Sequence, residues 1–372
     1  HEMGDLLLIE ASNRILSVIR ETDFIGRFGG DEFVVILSDL KDITIIEIIS
    51  NKIIEKLSEA FILGKEKIHI SASMGIAIYP SDGSNPAELL SNAEQAMYIA
   101  KKNGRKQYHY YRKSLQIEAK KRQSIVSDLY SAIELNQFEV FYQPIINLET
   151  NKIEKAEALI RWNHPTKGLI PPNDFISLSE QFGLIIPIGN LVYIQVVRQI
   201  RKWKDENNIN IQVSINKSPV QFKFNKNLGD WFSLLKENNL TGKDICIEIT
   251  ENMVMEKEDI VTNKLLEFRN NEVDISLDDF GTGYSSLSYL KKFHIDYIKI
   301  DQSFVRNLSV NSQDMVLCEA MIVMAHKLNI KVIAEGIETQ EQMELLKQMG
   351  CDYAQGYLFS KPVAVKDFEK LF

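Results

Sequence analysis

The chain contains 372 residues, 45% of them hydrophobic, enough for two domains that each bury a core. A formal net charge of −8 excludes broad electrostatic binding to DNA, RNA or anionic lipid, because such partners are held by Lys and Arg neutralising phosphates. A small phosphate ligand held through metal ions remains compatible with that charge.

The first hundred residues alternate helix and strand signals. A helix is expected from Asp5 to Arg20, then a hairpin in which Phe24 to Phe28 and Phe33 to Leu37 flank Gly29-Gly30-Asp31-Glu32, a tight turn with two acids at its tip. Helices from Ile43 to Leu63 and from Pro86 to Lys102 bracket a strand from His69 to Tyr79. From Tyr111 to Gln137, Ile125, Leu129, Ala132 and Ile133 recur at helical spacing beside the basic Lys120-Lys121-Arg122, which gives a connecting helix running into a second domain. The expected division is a partial α/β domain over 1–110, a linker helix over 111–125 and a second domain over 126–372.

Beyond the linker, β-rich segments recur with helical stretches between them: Glu139 to Gln143, Ile153 to Ile160, Ile211 to Asn216, Ile245 to Ile249, Val273 to Asp278, Tyr297 to Ile300, Lys331 to Ala334 and Asp352 to Tyr357. This alternation predicts a (β/α)8 TIM-like barrel. No apolar run reaches the length of a membrane span; the nearest, Leu184 to Val197, contains Pro187, Gly189, Asn190 and Gln195 and reads as a buried helix with a break. His1-Glu2-Met3-Gly4-Asp5 lacks the regions of a secretory signal, and Cys246, Cys318 and Cys351 are odd in number and match no ligand spacing. Buried reduced thiols and a cytoplasmic location are expected, while a longer parent protein can be membrane-anchored through upstream domains.

Alternate side chains of a strand share a face. Ile245, Ile247 and Ile249 therefore point opposite to Cys246, Glu248 and Thr250, as needed if helices cover the first face. The same parity sets Val213 and Ile215 against Asn216, Ile275 and Leu277 against Asp278, Ile298 and Ile300 against Lys299, and Val332 and Ala334 against Glu335. With Glu157, these polar residues lie toward the C-terminal ends of their strands, the face where barrel active sites are built. Converging carboxylates repel unless cations sit between them, so a divalent metal is the first functional inference. Adjacent Asp278-Asp279 can serve two metals, and the oxygen ligands favour Mg²⁺ or Mn²⁺. The glycines of Phe280-Gly281-Thr282-Gly283-Tyr284 let the backbone turn sharply beside this site.

Glu157-Ala158-Leu159-Ile160-Arg161-Trp162, Glu248-Ile249-Thr250-Glu251, Asp278-Asp279-Phe280-Gly281-Thr282-Gly283-Tyr284-Ser285-Ser286-Leu287, Lys299-Ile300-Asp301 and Ala334-Glu335-Gly336 resemble the EAL family, which hydrolyses cyclic di-GMP. The resemblance covers Val126 to Phe372. It implies metal ligation by Glu157, Asn216, Glu248, Asp278, Asp279 and Glu335, with Lys299 beside the attacking water, so that Glu157, Lys299 and Glu335 belong to the catalytic group. It implies ligand contacts for Gln143, Arg161 and Gln355, and a loop-steadying role for Glu251. The implied reaction is in-line attack of water, activated by two divalent cations, on one phosphodiester to give linear pGpG. It further implies a homodimer in which Gly281 to Ser286 couples association to metal binding.

The first domain resembles the GGDEF family of diguanylate cyclases through Gly29-Gly30-Asp31-Glu32-Phe33, through Lys101 and Arg105, and through His1-Glu2-Met3-Gly4-Asp5. That family's domain carries a further metal-binding Asp and a guanine-binding Asn on segments that would precede His1, so this part is expected to be truncated, and regulatory or inactive. GTP binding near Asp31 and Lys101 stays open. Arg20-Glu21-Thr22-Asp23 matches the family's inhibitory product-binding pattern, and equally suits a surface ion pair at a helix end. Three readings follow: a cyclic di-GMP phosphodiesterase, a catalytically silent cyclic di-GMP receptor, and a bifunctional cyclase and phosphodiesterase if a parent protein supplies the missing half.

Overall fold

The computed structural model describes all residues except 1, 41, 64–65, 225–228, 252, 254–258, 283–289 and 291–292. The chain divides into two compact units, His1–Ser124 and Ile125–Phe372. Within the first, α1 (Glu2–Leu16) precedes the hairpin of β1 (Phe24–Gly29) and β2 (Glu32–Ile36), whose turn uses the positive φ of Gly30. Then come α2 (Thr44–Ser58), β3 (Phe61–Leu63), β4 (Glu66–Ile68), β5 (Met74–Ile76), α3 (Pro86–Lys102) and β6 (Tyr108–Tyr110). Among the described residues this unit has three two-stranded sheets, β1 with β2, β3 with β4, and β5 with β6.

Some expected boundaries hold and others move. The helix starting at Pro86 is present as expected, because Asn85 accepts a hydrogen bond from the Glu88 backbone N–H and proline suits the first turn. The expected helix from Ile43 to Leu63 instead stops at Ser58. Arg14 closes its end by donating to the carbonyls of Lys56, Glu59 and Ala60 while stacking 3.6 Å from the Phe61 ring. Phe61 and Leu63 are then buried and Ile62 exposed, the alternation of a strand. The expected strand from His69 to Tyr79 is confined to β5, where Gly75 lies so close to α3 that a Cβ would fall 1.8 Å from the Ala93 carbonyl oxygen.

The helix α4 (Lys113–Glu134) begins two residues after the expected linker start at Tyr111 and ends before Gln137. The second unit continues with β7 (Phe138–Asn147), β8 (Lys152–His164), β9 (Gly168–Ile170), α5 (Ile176–Gln181), α6 (Ile185–Lys202), β10 (Gln212–Asn216), α7 (Pro219–Phe224), α8 (Gly229–Glu237) and β11 (Ile245–Thr250). It ends with α9 (Asp259–Asn270), β12 (Asp274–Phe280), β13 (Tyr297–Ile300), α10 (Gln302–Val305), α11 (Gln313–Lys327), β14 (Lys331–Ala334), α12 (Gln340–Gln348), β15 (Tyr353–Ala354) and α13 (Val365–Phe368).

Strands pair in the order β8, β10, β11, β12, β13, β14, β15, β7 and back to β8, which closes an eight-stranded barrel. The expected barrel is present, with one departure from a regular (β/α)8 pattern: β7 runs antiparallel to both neighbours. Only a tight turn joins β7 to β8, fixed by Asn147 Oδ1 accepting the N–H groups of Glu149 and Thr150, and a parallel pair would need a far longer crossover.

The parity argument holds throughout. Val213, Ile215, Ile245, Ile247, Ile249, Ile275, Leu277, Ile298, Ile300, Val332 and Ala334 join the cluster between strands and helices, whereas Ile145, Cys246, Tyr297, Ile333 and Tyr353 form a separate cluster on the inward parity. This lower inward cluster is not purely apolar, since the buried Lys155 places its Nζ 3.7 Å from the centroid of the Tyr297 ring, and the upper interior is left to polar groups. The break expected within Leu184 to Val197 is absent, since α6 runs unbroken and Pro187 falls in its first turn, where its missing N–H had no intrahelical partner. Gly189 in the same helix faces the Gln221 side chain, whose amide would have to shift to admit a Cβ. The three cysteines are buried and unpaired. Among the described residues, no helix is long and apolar enough to cross a membrane.

Candidate active site

Strand register brings the polar strand ends together. Gln143 on β7 faces Glu157 on β8, Asn216 on β10 pairs with Glu248 on β11, and Thr250 pairs with Asp278 on β12. Glu335 and Gln355 follow β14 and β15, held by backbone hydrogen bonds of 3.1 Å to the Ile300 carbonyl and 2.8 Å to the Ala334 carbonyl. At the centre stands Lys299 of β13, 1% exposed. Its Nζ lies 2.7 Å from Glu335 Oε1, 3.0 Å from Glu248 Oε2, 3.3 Å from Asp278 Oδ1 and 3.4 Å from Glu157 Oε2.

Amides complete the cluster. Glu157 accepts from Asn216 Nδ2 at 2.7 Å and from Gln355 Nε2 at 2.6 Å. Gln355 also donates to Gln143 Oε1 at 2.9 Å, and Gln143 donates to the Ser360 carbonyl at 3.1 Å. Ser360 is a contact the sequence reading missed, since only its backbone takes part.

The electrostatics follow from burial and proximity. Burial works against the Lys299 charge, yet Asp278, Glu157, Glu248 and Glu335 together hold its pKa well above the ordinary lysine value. Burial pushes the Glu248 carboxyl well up, reinforced by Glu157 and Asp278, and burial likewise pushes Glu335 up to about 8. Burial also raises Asp279, with the Asp278 charge adding to it. For Glu157 burial opposes ionisation, but Lys299, Gln355 and Asn216 outweigh it and leave the pKa lowered.

Among the described residues, no three acidic, His or Cys side chains close on a common point as metal ligands do; the carboxylates turn to the Lys299 ammonium instead. The residues nonetheless fit hard cations. One ammonium faces the acids Glu157, Glu248, Asp278 and Glu335, with Asp279 alongside, and the buried Glu248 Oε1 and Gln355 Oε1 have no hydrogen-bond partner. Unpaired buried oxygens in a cluster with excess negative charge are the donor chemistry of Mg²⁺ or Mn²⁺.

The loop after Asp278 is held from outside. Asp279 has φ +56° and its carbonyl accepts from Thr282 Oγ1 at 2.8 Å. Buried Glu251 accepts the Gly281 N–H at 3.3 Å, the contact expected of a loop-steadying residue. At Gly281, φ is +96° and a Cβ would meet the Phe304 ring at 2.9 Å, so a side chain is barred twice over. Gly283 to Leu287 of the loop signature lie outside the described residues.

The chain matches the EAL domain family over residues 126–362. It belongs to the EAL family. Residues 1–107 match a second family, described as the diguanylate cyclase GGDEF domain. The chain is 37% identical over 363 residues to the bifunctional diguanylate cyclase/cyclic di-GMP phosphodiesterase MucR of Pseudomonas aeruginosa, covering 98% of this chain and 53% of that protein. It is 36% identical over 372 residues to the cyclic di-GMP phosphodiesterase PdeR of Escherichia coli, covering 100% of this chain and 56% of that one. The chain thus spans about half the length of the curated relatives it matches. Among solved structures it resembles the PaMucR phosphodiesterase in complex with c-di-GMP, with TM-score 0.63 and 35% identity over 66% of this chain and 99% of that one.

Not every expected EAL or GGDEF residue converges. Arg161 stays apart from the carboxylates, donating to the Ile160 carbonyl at 2.8 Å with its guanidinium 5.5 Å from the Phe141 ring. In the GGDEF-matching part, Asp31 is exposed at the hairpin turn, and Arg27 holds that turn by donating to the Gly30 carbonyl. Lys101 lies in the last turn of α3, exposed, and Arg105 follows it at φ +59°. Among the described residues, Asp31, Glu32, Lys101 and Arg105 make no hydrogen bond or ion pair with one another. Arg20 and Asp23 do not sit at a helix end, since α1 stops at Leu16; Asp23 instead accepts the backbone N–H groups of Arg20 and Ser38.

One buried charge beside the EAL site escaped the sequence reading. Lys217, next to Asn216, is 6% exposed, with its Nζ 4.4 Å from the centroid of the Trp231 ring. Its signal was its parity, which turns it toward the helices. Burial, with repulsion from Lys264, pushes its amine down to about 7. The unfolded chain restores an ordinary value of about 10.4. Between these values the unfolded state holds the extra proton, so Lys217 makes stability rise with pH by up to about 1.4 kcal/mol per unit. Lys217→Met is expected to flatten this slope and to raise stability at neutral pH. Urea unfolding of both proteins from pH 7 to 10 measures it, and equal slopes would refute the assignment.

Proposed function

We propose that this chain hydrolyses one phosphodiester of cyclic di-GMP to linear pGpG in bacterial second-messenger signalling. The observation carrying this reading is the set of carboxylates gathered around Lys299 at one barrel rim, with unpaired acceptor oxygens among them. Relatives that span the whole chain and are named cyclic di-GMP phosphodiesterases support the substrate.

Glu157, Asn216, Glu248, Asp278, Asp279 and Glu335 would hold two divalent cations, Mg²⁺ or Mn²⁺. Bound there, such ions supply acidification of water and stabilisation of charge on the attacking and leaving oxygens. Lys299 orients the attacking water and offsets negative charge on the phosphate. Gln143 and Gln355, already hydrogen-bonded to each other, and Arg161 at the rim offer amide and guanidinium groups suited to guanine edges and phosphate oxygens. Glu251 keeps the Asp278-Asp279 loop in place.

The GGDEF-matching part is read as regulatory, with GTP as its candidate ligand. A homodimer through the EAL domain is supported by the exposed Val316, Leu317 and Val323 of α11, a helix that also carries Met321, whose sulfur would lie 3.2 Å from a Cβ at Gly281. Light scattering tests it, and an active monomer would refute the coupling. A cytoplasmic location is supported by the unpaired cysteines.

The deciding experiment is incubation of the purified chain with cyclic di-GMP and Mg²⁺ or Mn²⁺, followed by chromatography for pGpG. Binding without turnover would overturn the hydrolase reading in favour of a receptor.

A further inference from the structure

Buried hydroxyls find hydrogen-bond partners, and one that does not needs a physical cause. On β12, Ile275 and Leu277 join the cluster between strands and helices, so Ser276 between them faces the barrel interior. It is 0% exposed, and among the described residues its Oγ has no hydrogen-bond partner.

Register places this hydroxyl beside the carboxylate cluster. Ser276 is paired with Glu248 of β11 on one side and with Tyr297 of β13 on the other. Tyr297 turns its ring to Lys155 in the lower inward cluster, so the carboxylate beside Ser276 in this row is that of Glu248.

Glu248 reaches across the strand that carries Ser276. Its Oε2 meets Lys299 Nζ at 3.0 Å, although β12 lies between β11 and β13 and two strand spacings amount to about 10 Å. The Glu248 side chain therefore crosses the inward face of β12 near Ser276, where a long side chain would stand in its way. Its Oε1 is buried and unpartnered as well. An orphan donor and an orphan acceptor thus occupy paired positions on adjacent strands, about 5 Å apart at Cβ, within reach of a direct hydrogen bond or of one bridging water.

Carboxylates that bind metal are themselves held by hydrogen bonds from residues behind them, and these set the direction in which the oxygens face. Lys299 alone is a poor holder for Glu248, since its ammonium is shared among four carboxylates. We propose that Ser276 is a positioning residue for Glu248: with cations at the rim, its hydroxyl donates to the Glu248 carboxylate, directly or through one buried water, and sets the orientation in which that carboxylate meets them. This rests on the two-cation reading above and deepens it, by adding a residue that touches neither metal nor substrate.

The test is calorimetric titration of Mn²⁺ into the metal-free wild-type chain, Ser276→Ala, Glu248→Gln and the double variant, with melting curves in EDTA. Ser276→Ala is expected to weaken Mn²⁺ binding about tenfold, the lower end of what loss of such a supporting contact costs. It is expected to melt in EDTA as the wild type does, because the hydroxyl has no partner to lose there. In the Glu248→Gln background the same substitution is expected to add nothing, which identifies Glu248 as the residue it acts through. Unchanged Mn²⁺ affinity in Ser276→Ala, or an equal loss in the Glu248→Gln background, would overturn the proposal. A lowered melting point with unchanged affinity would show a hydroxyl that only packs. Because metal binding is read without substrate, a wild type that binds Mn²⁺ but does not hydrolyse cyclic di-GMP would overturn only the hydrolase reading. A wild type that binds no Mn²⁺ would overturn both.

Discussion

Glu157→Ala is expected to abolish hydrolysis of cyclic di-GMP, lowering kcat by more than about a thousandfold, since removal of a single transition-state contact already costs about 10²–10³. Glu157 is where the cluster's hydrogen bonds meet: Asn216 at 2.7 Å, Gln355 at 2.6 Å and Lys299 at 3.4 Å all point at its carboxylate. Alanine removes a proposed metal ligand and leaves these donors facing an apolar methyl, so neither the charge nor the geometry of the rim survives. Asp31→Ala, on the hairpin of the other unit, is expected to leave hydrolysis nearly unchanged. Chromatographic quantification of pGpG measures both. Wild-type turnover by Glu157→Ala would remove the site assignment, and loss of turnover in Asp31→Ala would remove the independence of the two sites.

The second large effect concerns stability. Among the described residues, Lys299 is the single ammonium paired with Glu157, Glu248, Asp278 and Glu335, all within 3.4 Å of its Nζ. Lys299→Met keeps most of the side-chain volume and deletes the charge, which leaves buried carboxylates uncompensated. Breaking a buried ion pair from one side costs about 3–5 kcal/mol. The variant is therefore expected to unfold at markedly lower urea in EDTA, and Mg²⁺ or Mn²⁺ is expected to restore stability, because a divalent ion supplies the missing positive charge and favours the folded state by mass action. The same measurement on wild type should show a smaller gain from metal. Identical unfolding of the two proteins in EDTA would show that Lys299 does not compensate the cluster, and absence of any metal effect on either would speak against cations there.

Local rules already placed much of this site. Period-two alternation in Ile245-Cys246-Ile247-Glu248-Ile249-Thr250 and its counterparts identified which side chains enter the barrel, and the structure keeps that parity on every strand where it was argued. Helix starts written in capping residues, as at Asn85-Pro86, were equally legible. Errors arose where the deciding partner is distant in sequence. The helix ending at Ser58 is closed by Arg14 from another helix, whereas at Pro187 the deciding fact is local, its place in the first turn of α6.

The sequence by itself determined that six strands end in carboxylate, amide or ammonium groups, five of them placed by parity, because side-chain alternation is a property of each strand alone. Only the tertiary structure decided what those groups do to one another. Closure of the barrel set four carboxylates from four strands around one lysine, made β7 antiparallel through a tight turn, and buried Lys217 against Trp231. Those outcomes depend on Coulombic and packing contacts between residues far apart along the chain, and such contacts leave no local pattern to read.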